Sequence, residues 1–132
     1  MIIRSATASD VTAMAHVHAH AFDGFFMTCL GPRFLREYYR TVCEYESGVV
    51  LVAPSSDGDE LHGFAVGFID PSAFYRKIRS RRWRLAFASL PWILRRPDLV
   101  PRLLGKARRV SRGESRSPGP RESELASLAV MP

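Results

Sequence analysis

The stretch Glu122 to Pro132, E-S-E-L-A-S-L-A-V-M-P, decides the fold that this sequence predicts. Apolar residues run nearly unbroken from Leu125 to Val130, and such a run is typical of a strand buried on both faces of a sheet. A central strand normally continues into a turn and a helix, because its backbone groups and both its faces need partners. We therefore expect this stretch to be the last strand of an incomplete α/β domain.

Earlier segments predict three more strands. The first is the short segment Ile2 to Ala6. The other two are Val49 to Ala53 and Leu61 to Ile69, which are rich in β-branched and aromatic residues. The polar connection 54–60 contains Pro and Gly, which predicts an antiparallel hairpin between the last two. Gly63 and Gly67 lie inside the second hairpin strand and indicate a bulge or a close backbone approach.

Two helices are predicted between the first strand and the hairpin. Thr7 and Asp10 have capping-box spacing, and apolar residues then recur at helical intervals to a predicted end near Asp23. Pro32 stands at the first turn of a second helix with an apolar, largely aromatic buried stripe. The segment between the two helices is predicted to be a loop and carries the adjacent rings of Phe25 and Phe26.

Three histidines on the first predicted helix suggest a metal site as one alternative. His16 and His20 are one turn apart, whereas His18 points elsewhere and lies on the apolar stripe. Zinc sites need three or four protein ligands, so we favour surface and partly buried histidines. Cys29 and Cys43 match no zinc or disulfide pattern, and Cys43 is predicted to be a buried reduced thiol.

The chain carries a net charge of +6, and its basic residues are concentrated in one region. Thirteen Lys and Arg residues lie between Arg76 and Arg112, where Asp98 is the one acidic residue. Proline at positions 91, 97 and 101 predicts two or three short helices in place of one long helix. The apolar run Leu85 to Leu94 is too short to span a bilayer.

Three interpretations of this basic region stay open. In the first, the region lies flat on an anionic membrane. In the second, its arginines contact phosphates of nucleic acid or of coenzyme A. In the third, it forms a helical cap over a sheet edge or cleft, with its arginines in solvent. Residues 110–121, rich in Ser, Gly, Pro and Arg, are predicted to be a linker back to the sheet. We divide one partial domain into residues 1–70, 71–112, 113–121 and 122–132.

The motifs resemble those of the GNAT superfamily of acetyl-CoA-dependent N-acetyltransferases. E-L-A-S-L-A-V-M-P is similar to that family's fourth strand, and I-I-R-S-A-T-A-S-D to its first strand and helix cap. V-V-L-V-A and L-H-G-F-A-V-G-F-I-D resemble its second and third strands. The resemblance implies an α/β fold with a mixed, mostly antiparallel sheet, flanking helices and a basic helical insertion before the fourth strand.

The resemblance also implies a function, N-acetyl transfer from acetyl-CoA to a small-molecule or peptide amine. The backbone of Leu128, Ala129 and Val130 would hold the pantetheine arm, in the manner of strand addition. Some members of that family place a general-base carboxylate six residues before the position of Val130, and here that residue is Glu124, whose pKa burial would raise toward working pH. Glu122 is the fallback. The alternatives are that Glu124 is a strand-end glutamate in water and that a chain of water molecules removes the proton.

Further expectations follow from the same resemblance. Phe25 and Phe26 are expected to border the acceptor-substrate cleft. The family's pyrophosphate-binding Arg/Gln-x-x-Gly-x-Gly/Ala segment does not occur and would lie after Pro132, so we expect this chain to be inactive or nearly so and to bind acetyl-CoA weakly. The alternative is a non-enzymatic module whose basic region binds an anionic membrane or nucleic acid.

Location and assembly are predicted from simpler features. The N-terminal residues contain no signal-peptide core, which favours a cytoplasmic protein. Poor cover over Leu125, Leu128 and Val130 predicts self-association, with a homodimer as one form. Weak contact with anionic surfaces is expected through Arg79 to Arg84, with no specific nucleic acid.

Overall fold

The protein is an α/β fold, seen in a computed structural model that describes residues 2–58, 60–105 and 124–131, without the side chains of 124–127. Its strands are β1 (Arg4–Ser5), β2 (Gly48–Pro54), β3 (Leu61–Phe68) and β4 (Glu124–Val130). Its helices are α1 (Val11–Ala21), α2 (Phe26–Cys29), α3 (Pro32–Glu44), α4 (Pro71–Ser80) and α5 (Arg82–Arg95). Short 3₁₀ helices span Ala8–Asp10 and Pro97–Leu99, and residues 100–105 are helical.

The four strands form one sheet in the order β1-β2-β3-β4, and every pairing among them is antiparallel. The sequence predicted a mixed, mostly antiparallel sheet, and no parallel pair occurs in the part of the chain that the structure describes. One row of the register joins Val52, Phe64 and Ala129, which places these three side chains on the same face. That face is the inner one, since all three are buried.

Helices α1 and α3 pack together on the inner face, α1 across β3 and β4 and α3 over β2. Apolar residues of α1 at three- and four-residue spacing enter the core, as the sequence predicted, and α3 adds Leu35, Tyr39 and Val42. Phe68 of β3 stacks on Phe74 of α4 with ring centroids 3.9 Å apart, so α4 closes one end of the same core.

An ion pair and a capping hydrogen bond hold the chain in place at the start of α1. The Thr7 amide donates to Asp10 Oδ2 at 2.7 Å, in agreement with the predicted cap. The Arg4 guanidinium donates to both oxygens of the same carboxylate at 2.8 Å each. This forked bond ties β1 to the start of α1 and holds the pKa of Asp10 at about 2, below its usual 3.8.

Helix α5 lies between β3 and β4 in the chain and packs on α3. Leu85 and Ser89 form its buried side. Two ion pairs anchor it: Arg81 contacts Glu44 at 2.6 Å, and Arg84 contacts Glu37 at 3.6 Å. Two of the four arginines between Arg79 and Arg84 are therefore engaged in ion pairs with α3.

Two predictions about helices were wrong. Pro91 does not interrupt its helix, because α5 continues through it. The proline removes the hydrogen bond to the carbonyl of Phe87, and this turn is exposed, so water can satisfy that carbonyl. The segment predicted as a loop between α1 and α3 contains the short helix α2.

The prediction that β4 is buried on both faces was also wrong. Leu128 is 61% exposed and Val130 is 63% exposed, whereas Ala129 between them is buried. The alternation arises because the helices described here cover the inner face of the sheet alone. The predicted linker 110–121 lies outside the described residues.

Candidate functional site

The open edge of β4 is the first candidate site. Met131 donates its amide to the His62 carbonyl at 2.7 Å, so residues 131, 129 and 127 direct their backbone groups toward β3. The alternating ladder then turns the backbone groups of Leu128 and Val130 away from β3. Of the three residues predicted to hold a pantetheine arm, two present backbone groups at this edge that pair with no strand in the described part of the chain, and Ala129 is engaged in the sheet.

A β-bulge distorts β4 at the other end of the same edge. Ser127 pairs with Val66 and Leu125 pairs with Gly67, which leaves Ala126 as an extra residue on β4. The bulge lies beside Gly67, one of the two glycines that predicted an irregularity. Such bulges bend a strand and redirect its backbone groups, and they occur often beside active sites.

Glu124, the predicted base, begins β4 opposite Phe68. Its backbone is thus on the strand that the sequence predicted, at the end beyond the bulge. The side chain of Glu124 and the whole of the fallback Glu122 lie outside the described residues.

An apolar cavity of about 230 Å³ lies on the outer face of the sheet, next to the open edge. Residues of β2, β3 and β4 line it, among them Leu51 and Leu128, together with Ile3, which precedes β1. Gly63 forms part of its floor and permits a close strand approach, since a Cβ there would lie 2.6 Å from the Ala129 carbonyl oxygen. The cavity thus offers a mainly apolar surface next to the β4 edge.

Phe25 and Phe26, the predicted substrate-lining pair, lie at the connection from α1 to α3. The exposed ring of Phe25 contacts the Phe22 ring edge-on at 5.6 Å, and Phe26 starts α2. Thr28 donates its hydroxyl to the Phe22 carbonyl at 2.7 Å, which closes the turn. Within the described ranges, neither ring lines the cavity beside β4.

A buried histidine and tyrosine form a polar pair inside the core. His18 Nδ1 and the Tyr39 hydroxyl share a hydrogen bond of 2.6 Å, while His18 Nε2 is buried with no partner among the described residues. Burial lowers the pKa of His18 from 6.5 to about 4, because a charged ring would lose its hydration. A neutral histidine in the core therefore explains this position without a metal.

The other histidines and the cysteines form no metal centre within 2–58, 60–105 and 124–131, where no three ligating side chains come together. The rings of His16 and His20 lie 4.3 Å apart on the exposed side of α1. Both cysteines are reduced thiols, and Cys43 is half-buried, less than the sequence predicted. Burial raises the pKa of its thiol.

The exposed face of α5 is the second candidate site. Trp83 is 65% exposed, Phe87 68% and Leu94 70%, and Leu90 is also exposed. Their spacing of four, three and four residues places them on one side of the helix, opposite the buried Leu85. We call these four residues the α5 stripe.

The exposure of the α5 stripe corrects one interpretation of the sequence. A helical cap over a sheet edge or cleft would bury these apolar side chains, whereas the structure exposes them. The spacing of Trp83, Phe87, Leu90 and Leu94 was the signal in the sequence, and the expectation of a break at Pro91 obscured it. None of the helices in the described ranges is long and apolar enough to cross a bilayer.

Comparison of the chain with known proteins finds no matching family model, no matching curated protein and no matching solved structure.

Proposed function

We propose that this chain carries the cofactor-binding strand of an N-acetyltransferase, which transfers an acetyl group from acetyl-CoA to a small-molecule or peptide amine. The observation that carries the proposal is the bulged β4 edge, where Leu128 and Val130 turn their backbone groups away from β3. The pantetheine arm contains two amides and pairs with such an edge as an added strand would.

The proposed chemistry is simple acyl transfer. The amine attacks the thioester carbonyl, a C–N bond forms, and the C–S bond breaks to release the thiol of coenzyme A. The substrate is an ammonium ion near neutral pH and must lose a proton before it attacks, and Glu124 is the residue proposed to accept that proton. The nitrogen loses a second proton as the amide forms, and the departing thiolate takes up a proton to become the thiol. The apolar cavity beside β4 would exclude water from the reacting groups.

Backbone NMR tests the cofactor proposal directly. Addition of acetyl-CoA should shift the amides of Leu128 and Val130, and should leave the amide of Ala129 protected from exchange by β3. Desulfo-coenzyme A serves as the non-reacting ligand, and release of free thiol with a panel of amines reports turnover. The cofactor proposal fails if millimolar acetyl-CoA shifts no β4 amide, or shifts only the arginine-rich helices.

A second function is favoured by the α5 stripe, namely docking on an anionic membrane surface. Tryptophan, phenylalanine and leucine are suited to the boundary between lipid headgroups and acyl chains, where α5 would lie in the plane of the membrane. Arg79, Arg82 and Arg96 are exposed near the stripe and none has an ion-pair partner among the described residues. Positive charge beside an exposed apolar stripe complements an anionic lipid surface.

Vesicle sedimentation tests this second function. The protein should bind vesicles that contain phosphatidylglycerol, and Trp83→Ser with Phe87→Ser should weaken binding by about tenfold or more, because two large apolar side chains leave the lipid. Ile69→Ser is the control, since Ile69 is equally exposed but distant in the chain from α5. Equal weakening by all substitutions would refute docking through the stripe, and preference for duplex DNA over vesicles would assign the arginines to nucleic acid.

A further inference from the structure

A cavity of about 340 Å³ lies between the start of α3 and the second half of α5. Its size is within the range of small-molecule sites, roughly 300 to 1,000 Å³. Its apolar walls are Pro32, Ala88, Pro91 and the ring of Trp92. Three arginines, Arg33, Arg36 and Arg95, complete the lining.

Among the described residues, no acidic side chain is paired with any of these three arginines. The nearby acidic residue Glu37 is already shared between Arg40 and Arg84. In the ranges 2–58, 60–105 and 124–131, no carboxylate lies within ion-pair distance of Arg33, Arg36 or Arg95. Three like charges around one cavity repel each other, so an anion inside it would relieve an unfavourable arrangement.

The ring of Trp92 is held in a fixed position in the cavity wall. Its indole Nε1 is buried away from solvent, so the ring offers the cavity an apolar surface. The ring is held against Gly31, where a Cβ would lie 2.6 Å from its Cγ, and Gly31 adopts a positive φ of 99°. A side chain at position 31 would therefore displace the ring, so the backbone and the ring are built around each other.

The start of α3 also favours an anion at this cavity, to a smaller extent. Pro32 and Arg33 are the first two residues of this helix of thirteen residues, and its first turn contains no acidic residue and no side-chain cap. The positive end of the helix dipole consequently faces the region of the three arginines. This effect supports anion binding but is secondary to the arginines.

We propose that this cavity binds an organic phosphate, with the phosphate held by Arg33, Arg36 and Arg95 and an attached ring or chain packed on Trp92 and the two prolines. Arginine forks fit phosphate oxygens in pairs, and three of them match a dianion better than a carboxylate. The cavity is larger than a phosphate group, so the remaining space beside its apolar walls has room for the attached ring or chain. The site is separate from the β4 edge and does not depend on either function proposed above.

Tryptophan fluorescence tests the site, because the chain has two tryptophans and Trp83→Phe leaves Trp92 as the only one. In that background, phenyl phosphate should change the fluorescence with saturation, and benzyl alcohol should not. Arg36→Ala should weaken binding by about tenfold or more, as expected for loss of charge-assisted hydrogen bonds, and Arg36→Lys should weaken it less. Arg79→Ala is the control with the same change in net charge, and it should have little effect.

Two arms distinguish the source of the phosphate. If the site takes a lipid headgroup, vesicles with phosphatidic acid should compete with phenyl phosphate, and Arg36→Ala should weaken their binding. If it takes a soluble phosphate, phenyl phosphate binds while vesicle binding is indifferent to Arg36→Ala. Thermal melts confirm that each variant is folded. The proposal is overturned if folded protein shows no saturable response, or if Arg36→Ala and Arg79→Ala weaken binding equally.

Discussion

Acidification from pH 7 to pH 4 should destabilise this protein through one residue, His18. Its ring is buried against Phe22 and Tyr39, and Nε2 has no partner among the described residues, so the folded state strongly disfavours a second ring proton. The pKa falls from 6.5 to about 4 on folding. The unfolded chain takes up the proton below about 6.5, whereas the folded chain resists it until about 4.

The sign of the effect follows from these two values. The stability that neutral His18 provides is fully present above about pH 6.5 and is lost progressively as the pH falls toward 4. The shift corresponds to roughly 3 kcal/mol as an upper limit, and we expect about 2 kcal/mol in practice, because solvent screening reduces such penalties. Below about pH 4 both states carry the proton and this contribution becomes constant.

Urea unfolding at half-unit pH intervals measures the effect. His18→Gln removes the titrating group and keeps a partner for the Tyr39 hydroxyl, so its free energy of unfolding should vary less between pH 6.5 and 4 than that of the unchanged protein. His16→Gln, on the exposed side of the same helix, should keep the full pH dependence. If His18→Gln and the unchanged protein lose stability in parallel over this range, the reasoning about the buried ring is refuted.

Three substitutions test other contacts by their effect on the free energy of unfolding. Asp10→Asn should lower the free energy of unfolding by about 1 kcal/mol, because the ion pair with the partly exposed Arg4 is screened by solvent; this stability is present above pH 3.8 and is lost toward pH 2. Urea unfolding at acidic pH measures the loss, and an Asp10→Asn variant with the same acid profile as the unchanged protein would contradict the prediction. Gly63→Ala should cost about 2 kcal/mol or more, because its Cβ would lie 2.6 Å from a β4 carbonyl oxygen, and faster hydrogen exchange along β4 would report the separation of β3 and β4. Phe74→Ala should cost about 3 to 5 kcal/mol in thermal or urea unfolding, whereas the exposed Phe87→Ala should cost under about 1 kcal/mol; similar losses would mean that Phe74 is not a core residue.

The strands and the main helices were predictable because their signals are local. β-Branched runs at 49–53 and 61–69 predicted β2 and β3 to within one residue at each end, and the Thr7 to Asp10 spacing predicted the start of α1. The pairing of Arg4 with Asp10 was not predicted, since it depends on where β1 lies relative to the helix. Burial on both faces of β4 was also inferred wrongly, because an apolar sequence does not specify which neighbour covers each face.

The candidate sites were less accessible to sequence reasoning. Backbone direction at Leu128 and Val130 depends on the register with β3, which no residue type encodes. The cavity at Trp92 requires α3 and α5 to be adjacent, and their sequence separation hides that contact. Gly31 was the available signal, since a glycine before a helix-opening proline permits both a positive φ and close packing.

The position of β4 in the chain has a consequence for the order of folding. Residues 69–123 separate β3 from β4, although the two strands are neighbours in the sheet. β1, α1, α3, β2 and β3 come together through shorter loops, so the entropy of loop closure favours their assembly first. Until β4 docks, β3 is an edge strand with unpaired backbone groups and an exposed apolar row. This interval is when the chain is most open to pairing with another molecule, and changes that speed β4 docking should raise the yield of refolding.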